Sequence, residues 1–106
     1  MHAKPTPLDP ETLTRRLESL PGWTCADGWL QREYATDGWR STMLLVNAIA
    51  FLAEAADHHP DLGVHWGRVE VRLQSHDAGG VTDRDIALAT RIDALINDQP
   101  IGWVTS

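Results

Sequence analysis

Five histidines stand in this 106-residue sequence, and three of them fall where acid–base chemistry is feasible. His58 and His59 are adjacent within Glu54-Ala55-Ala56-Asp57-His58-His59-Pro60, and His76 follows a run of alternating apolar residues. Imidazole titrates at ~6.5, so donor and acceptor forms are both available near neutrality. Glu54 and His58 are four apart, on one face of a helix if the last turn persists. A helix C-terminus favours positive charge beside it, as do Glu54 and Asp57. A turn at Gly67-Arg68 sets Trp66 across from Val69 and, carried outward, His59 across from His76. Directly opposed residues have Cβ atoms ~4.5–5.5 Å apart. The expectation is that His58, His59 and His76 line one cleft. A metal is not expected, because the spacing matches no zinc protease motif and neighbours in an extended segment point to opposite sides.

The elements that must position these side chains are marked by local signals. Residues 1–8, with Pro5 and Pro7, read as a flexible arm, and 9–106 as a single domain. Asp9-Pro10 reads as a cap followed by proline at the first helical position. Leu13, Leu17 and Leu20 share a helical face, and Pro21-Gly22 ends the helix. Asp27-Gly28 predicts a tight hairpin between Trp23–Cys25 and Trp29–Ala35. Trp39 to about Asp57 lacks Gly and Pro and presents two adjoining apolar faces, which suits a central helix packed on a sheet. Residues 62–76 predict a second hairpin, with Gly first in its turn. Thr82-Asp83-Arg84-Asp85 reads as a capping box with Asp in place of Glu, opening a helix to about Asn97, before Pro100. Helix, hairpin, helix, hairpin, helix implies an α+β fold with an antiparallel sheet and helices on one face. The tryptophans Trp23, Trp29, Trp39 and Trp103 read as packing residues. Trp66 could in addition wall a pocket for a flat ring.

Composition narrows the function classes. Nine basic residues against fifteen acidic ones give a formal charge of −6, which argues against a nucleic-acid groove. The one cysteine, Cys25, excludes an intrachain disulfide framework and a Cys-rich zinc site. No apolar run approaches the ~20 residues of a membrane span, and MHAKPTPLDP lacks the apolar core of a signal segment. A soluble cytoplasmic protein is expected. A chain this short buries one core, so a site is expected in a surface cleft or between subunits.

Glu54-xxx-His58-His59-Pro60, the aromatic Trp66, and His76-xxx-Gly80-Val81-Thr82-xx-Asp85 together resemble the signature of pterin-4a-carbinolamine dehydratases. Leu20-Pro21-Gly22-Trp23, Asp27-Gly28 and Arg32 are similar to that family's first hairpin region, and Val46-Asn47 to its central helix. The resemblance spans roughly residues 9–97. It implies a four-stranded antiparallel sheet with three helices on one face. It also implies dehydration of 4a-hydroxytetrahydropterins to quinonoid dihydropterin and water, which recycles the pterin of aromatic amino acid hydroxylases. By position, His58, His59 and His76 match the family's active-site histidines. Asp57-His58-His59 and Gln74-Ser75-His76-Asp77 match its pterin-contacting segments, and Glu54 and Asp85 its acidic signature positions. No cofactor or metal is implied, and the expected assembly is a homodimer or homotetramer. The alternative implied is a non-enzymatic member, acting as a dimerisation cofactor for a transcription factor or as an assembly scaffold. Three positions depart from the common pattern: Gly67 where Asn is frequent, Trp66 where Tyr is frequent, and Trp29 at a usually polar position.

Overall fold

The computed structural model describes residues 6–98, 104 and 105. His2, most of the predicted arm, Pro100 and Trp103 lie outside the described residues. The elements are α1 (Pro10–Leu17), β1 (Thr24–Ala26), β2 (Trp29–Ala35), α2 (Trp39–Ala56), β3 (Asp61–His65), β4 (Arg68–Leu73) and α3 (Asp83–Asp98). The four strands form one antiparallel sheet in the order β1-β2-β4-β3, with the three helices on one face.

Local chemistry accounts for most of these boundaries. The Asp9 carboxylate accepts from the Thr12 amide at 2.9 Å, which satisfies an otherwise unpaired donor at the start of α1. Asp27 (φ 54°) and Gly28 (φ 83°) both lie in the left-handed region, as a two-residue turn between Ala26 and its partner Trp29 requires. Asp57 takes the same conformation (φ 49°) and closes α2. The amide of His58 reaches back to the Ala53 carbonyl at 3.1 Å. Leu8, counted with the arm, is tied to the domain. Its amide donates to the Val81 carbonyl at 2.8 Å, and its side chain packs on the core.

Alternation sorts the sheet into two faces. Leu30, Tyr34, Val69, Val71 and Leu73 are fully buried beneath the helices, where they meet Leu45 and Ile49 of α2 and Leu88, Ala89 and Ile92 of α3. Gln31, Glu33, Arg68, Glu70 and Arg72 form the open face. The two apolar faces expected for α2 are not equally covered. The stripe Thr42, Leu45, Ile49 and Ala53 is buried, whereas Ala50 and Ala56 are exposed and Phe51 is 72% exposed.

The second hairpin departs from its expected register. Its turn is Trp66-Gly67, not Gly67-Arg68, so Val69 pairs with Val64 rather than Trp66. The ladder ends at Asp61 opposite Arg72, and no strand pairing joins His59 to His76. Contacts from outside the hairpin override the glycine preference. The Gly67 carbonyl accepts from the Thr36 amide at 2.9 Å, and the Trp66 carbonyl from the buried Thr42 hydroxyl at 3.0 Å. Both anchors precede the hairpin in the chain and fix which two residues turn.

Candidate active site

Register places four chain segments at one end of the sheet. Leu30 opposite Leu73 brings the Asp27-Gly28 turn beside the end of β4, and Asp61 opposite Arg72 brings the start of β3 to the same end. The segment between α2 and β3 holds His58 and His59, and the segment between β4 and α3 holds His76. The expected neighbourhood thus arises from the order of the strands, not from the cross-strand pair deduced for it.

Asp85 joins these segments. It is fully buried in the first turn of α3. One carboxylate oxygen, Oδ1, lies 2.5 Å from His58 Nε2. The other, Oδ2, accepts from the Ser75 hydroxyl at 2.9 Å and from the Thr82 amide at 2.8 Å. The Thr82 amide bond is the return half of the predicted capping box. The forward half runs from the Arg84 amide to Thr82 Oγ1 at 3.2 Å. A single side chain therefore caps α3 and grips an imidazole 27 residues upstream.

The three histidines face different surroundings. His58 has a side chain only 10% exposed and turns inward to Asp85. His59, next in an extended segment, turns outward, with Nε2 3.4 Å from Glu54 Oε1. His76 is exposed and meets the Trp29 indole edge-on, with ring centroids 5.6 Å apart. Among the described residues no hydrogen bond links one of these histidines to another.

The remaining expected site residues are placed as follows. Gln74 donates to the Gly28 carbonyl at 2.9 Å and so binds the end of β4 to the first hairpin turn. Ser75, matched above to a pterin-contacting segment, is 1% exposed, with its hydroxyl committed to Asp85 and Thr82. Asp77 pairs with Arg84 at 2.5 Å, and that hydrogen bond holds its exposed carboxyl below the usual carboxylate range. Glu54 is within reach of His59 but not of His58. Glu54, Asp57 and His59 each bring one donor atom within 4.8 Å of the others. All three are exposed, unlike the closely held four-ligand shell of a structural zinc site.

Two side chains that the sequence reading assigned otherwise, or passed over, border the site. Trp29, read as a packing residue, touches His76. Arg72 lies over the Trp29 ring, with its guanidinium carbon 4.4 Å from the ring centroid. The outward alternation of β2 signals the direction of Trp29, but Arg72 reaches it only through the pairing of β2 with β4. Trp66 stands past the far end of β3, whose five residues span roughly 13 Å at ~3.3 Å per residue, and does not wall this site within one chain. Its indole covers Gly38, where an added Cβ would lie 3.4 Å from the ring. Burial, and secondarily the charge of Asp85, push the Cys25 thiol up, which disfavours the thiolate.

Two concavities of about 240 and 570 Å³ lie elsewhere, lined in common by Gly22 and Arg32, and neither is lined by a histidine. At the histidine end of the sheet, His59 and His76 are exposed and His58 is nearly buried against Asp85.

Comparison with known proteins shows the family and the fold. The family model described as pterin 4 alpha carbinolamine dehydratase matches residues 6–95. The chain belongs to the pterin-4a-carbinolamine dehydratase family. A provisionally named pterin-4-alpha-carbinolamine dehydratase of Aquifex aeolicus is 48% identical over 91 residues, covering 86% of this chain and 92% of the relative. A counterpart from Thermomicrobium roseum, with the same provisional name, is 43% identical over 88 residues, covering 83% and 95%. Among solved structures, a transcriptional coactivator/pterin dehydratase from Brucella melitensis superposes with a TM-score of 0.81 at 28% identity, over 85% of this chain and 98% of that one. A pterin dehydratase-like protein identified as a RuBisCO assembly factor of the alpha-carboxysome shares the fold, with a TM-score of 0.59 at 22% identity, over 73% and 89%.

Proposed function

We propose that this member of the pterin-4a-carbinolamine dehydratase family is an active dehydratase. It removes water from 4a-hydroxytetrahydropterin and releases quinonoid dihydropterin. The observation that carries this reading is the complete histidine set at one end of the sheet, with His58 held on a buried carboxylate. The bond between C4a and its hydroxyl breaks as the lone pair of the adjacent ring nitrogen forms a double bond to C4a. Hydroxide is a poor leaving group, so an acid delivers a proton to it, and a base takes a proton from the pterin ring. An ionised Asp85 only accepts hydrogen bonds, so the proton between the two groups sits on His58 Nε2, and in the neutral ring Nδ1 is left as the acceptor. His58 is therefore the base, and the exposed His76 is the acid. His59, with Asp57, Gln74 and Asp77, positions the pterin. Acid–base help of this kind is worth ~10²–10⁴-fold.

The deciding assay follows turnover of a freshly generated 4a-hydroxytetrahydropterin with and without the purified protein. Acceleration over the spontaneous reaction supports the reading. A rate equal to the spontaneous one leaves the protein-binding alternative, a dimerisation cofactor or assembly scaffold. We place the enzyme in the cytoplasm, alongside an aromatic amino acid hydroxylase that produces its substrate. No helix among the described residues is long and apolar enough to cross a membrane.

The assembly proposed is a homodimer or homotetramer. Leu44, Ala48, Phe51 and Ala55 recur at helical spacing along the outer side of α2. Phe51 is 72% exposed, a large apolar group with no covering element among the described residues. Phe51→Glu places a charge at that contact and is expected to shift the protein to a smaller species in sedimentation velocity. An unchanged sedimentation coefficient would move the interface off this helix face.

A further inference from the structure

The buried polar chain behind His58 has one consistent direction. The Asp85 carboxylate accepts only, so the single Ser75 hydroxyl proton goes to Oδ2, 2.9 Å away. Ser75 Oγ, its proton used, accepts from the Thr82 hydroxyl at 2.7 Å. Thr82 Oγ1 accepts in turn from the Arg84 amide at 3.2 Å. On the other side, Asp85 Oδ1 takes the proton of His58 Nε2 at 2.5 Å. Each group in the row has one role, and reversing any member would set two protons, or two lone pairs, against each other.

Ser75 also governs the segment that carries His76. Its carbonyl accepts from the amides of Ala78 and Gly79, both at 3.0 Å, and of Gly80 at 3.4 Å. Its amide donates to the Gly80 carbonyl at 3.0 Å. Residues 76–79 are thereby folded over one buried residue that is 1% exposed.

We propose that Ser75 is a positioning residue for both histidines of the reaction. Its hydroxyl fixes the tautomer and orientation of His58 through Asp85, and its backbone presents His76. This rests on the dehydratase reading above. It assigns Ser75 a role behind the site, in place of the substrate contact implied by the family's pterin-contacting segment.

The test uses three proteins: wild type, Ser75→Ala and Ser75→Thr. Nitrogen-15 NMR of the imidazole rings reads the His58 tautomer directly, and steady-state kinetics with 4a-hydroxytetrahydropterin read the reaction. Wild type is expected to show His58 as one Nε2–H tautomer. Ser75→Ala is expected to show tautomer exchange at His58 and a kcat lowered about 10- to 100-fold at nearly constant KM, as for a mispositioned group. Ser75→Thr, which keeps the hydroxyl, is expected to restore both. A single unchanged His58 tautomer in Ser75→Ala overturns the proposal, as does a wild-type kcat in that variant. If Ser75→Ala does not fold, Ser75→Cys, which replaces the hydroxyl by a weak thiol donor to Asp85, is judged by the same two readouts. Absence of turnover in wild type would defeat the dehydratase reading alone, since the NMR comparison decides the clamp without substrate.

Discussion

His58→Ala is expected to lose turnover and stability together, whereas His76→Ala loses turnover only. The difference follows from burial. His58 is 10% exposed at its side chain and is the ring partner of a carboxylate with no exposure at all. Removing it leaves Asp85 Oδ1 buried without its donor. Breaking one side of a buried charged hydrogen bond costs about 3 kcal/mol. In a domain of this size that lowers the melting temperature by roughly 10–20 °C. His76 is exposed, and its ring meets Trp29 edge-on without a buried polar partner among the described residues. Its replacement is expected to leave the melting temperature within about 2 °C, as for an ordinary surface substitution. Both variants are expected to lower dehydratase kcat by roughly 10²–10⁴-fold, the usual worth of a positioned proton donor or acceptor. Calorimetry and initial rates on the same preparations separate the two effects. A His58→Ala protein that melts with wild type would show that water replaces the imidazole at Asp85 at no cost. A His76→Ala protein with wild-type kcat would take His76 out of the reaction.

What the sequence revealed, and what it hid, follows the range of the interactions. Asp9-Pro10, Asp27-Gly28 and Thr82–Asp85 act over two to four residues, and each appears in the structure as its local chemistry requires. The Trp66-Gly67 turn was misplaced by one residue because Thr36 and Thr42, more than twenty residues upstream, bond to its carbonyls. The register argument for His59 and His76 failed with it, although the two segments still meet at the same end of the sheet. Histidine spacing pointed to one end of the sheet, and family resemblance marked Asp85. Neither showed that Asp85 holds His58, because that contact needs the end of α2 and the start of α3 side by side. Trp29 is the converse case. Its type suggested packing, and only the neighbouring strand showed that it sits between Arg72 and His76.

A second carboxylate, about two turns further along α3, anchors another buried cluster, and Asp93→Ala is expected to be the most destabilising substitution outside the histidine site. Asp93 Oδ1 accepts from the Tyr34 hydroxyl at 2.6 Å and from Arg32 Nη1 at 3.1 Å, while Oδ2 accepts from Trp23 Nε1 at 3.0 Å. Tyr34 has no exposure and Trp23 is 4% exposed, so neither can turn to water when the acceptor is removed. Arg32 is 22% exposed at its side chain. It keeps its bond to the Pro21 carbonyl and its place over the Tyr34 ring, but loses its counter-charge. Two orphaned buried donors and one unpaired cation together cost about 4 kcal/mol. That is a large part of the 5–15 kcal/mol typical of a whole domain. The same cluster sets an alkaline limit. Burial first, and then the hydrogen bond to Asp93, push the Tyr34 hydroxyl well above the ordinary tyrosine range. A group whose proton is held more tightly in the folded state stabilises fully below its unfolded value, ~10 for tyrosine, and ever less as the pH rises beyond it. Urea titrations of the wild type are therefore expected to show stability falling above about pH 10. Tyr34→Phe, which has no proton to lose there, is expected to start lower and to fall less steeply. Parallel slopes for the two proteins would mean that alkaline unfolding begins elsewhere. An Asp93→Ala midpoint close to wild type would mean that Trp23 and Tyr34 find other acceptors once the carboxylate is gone.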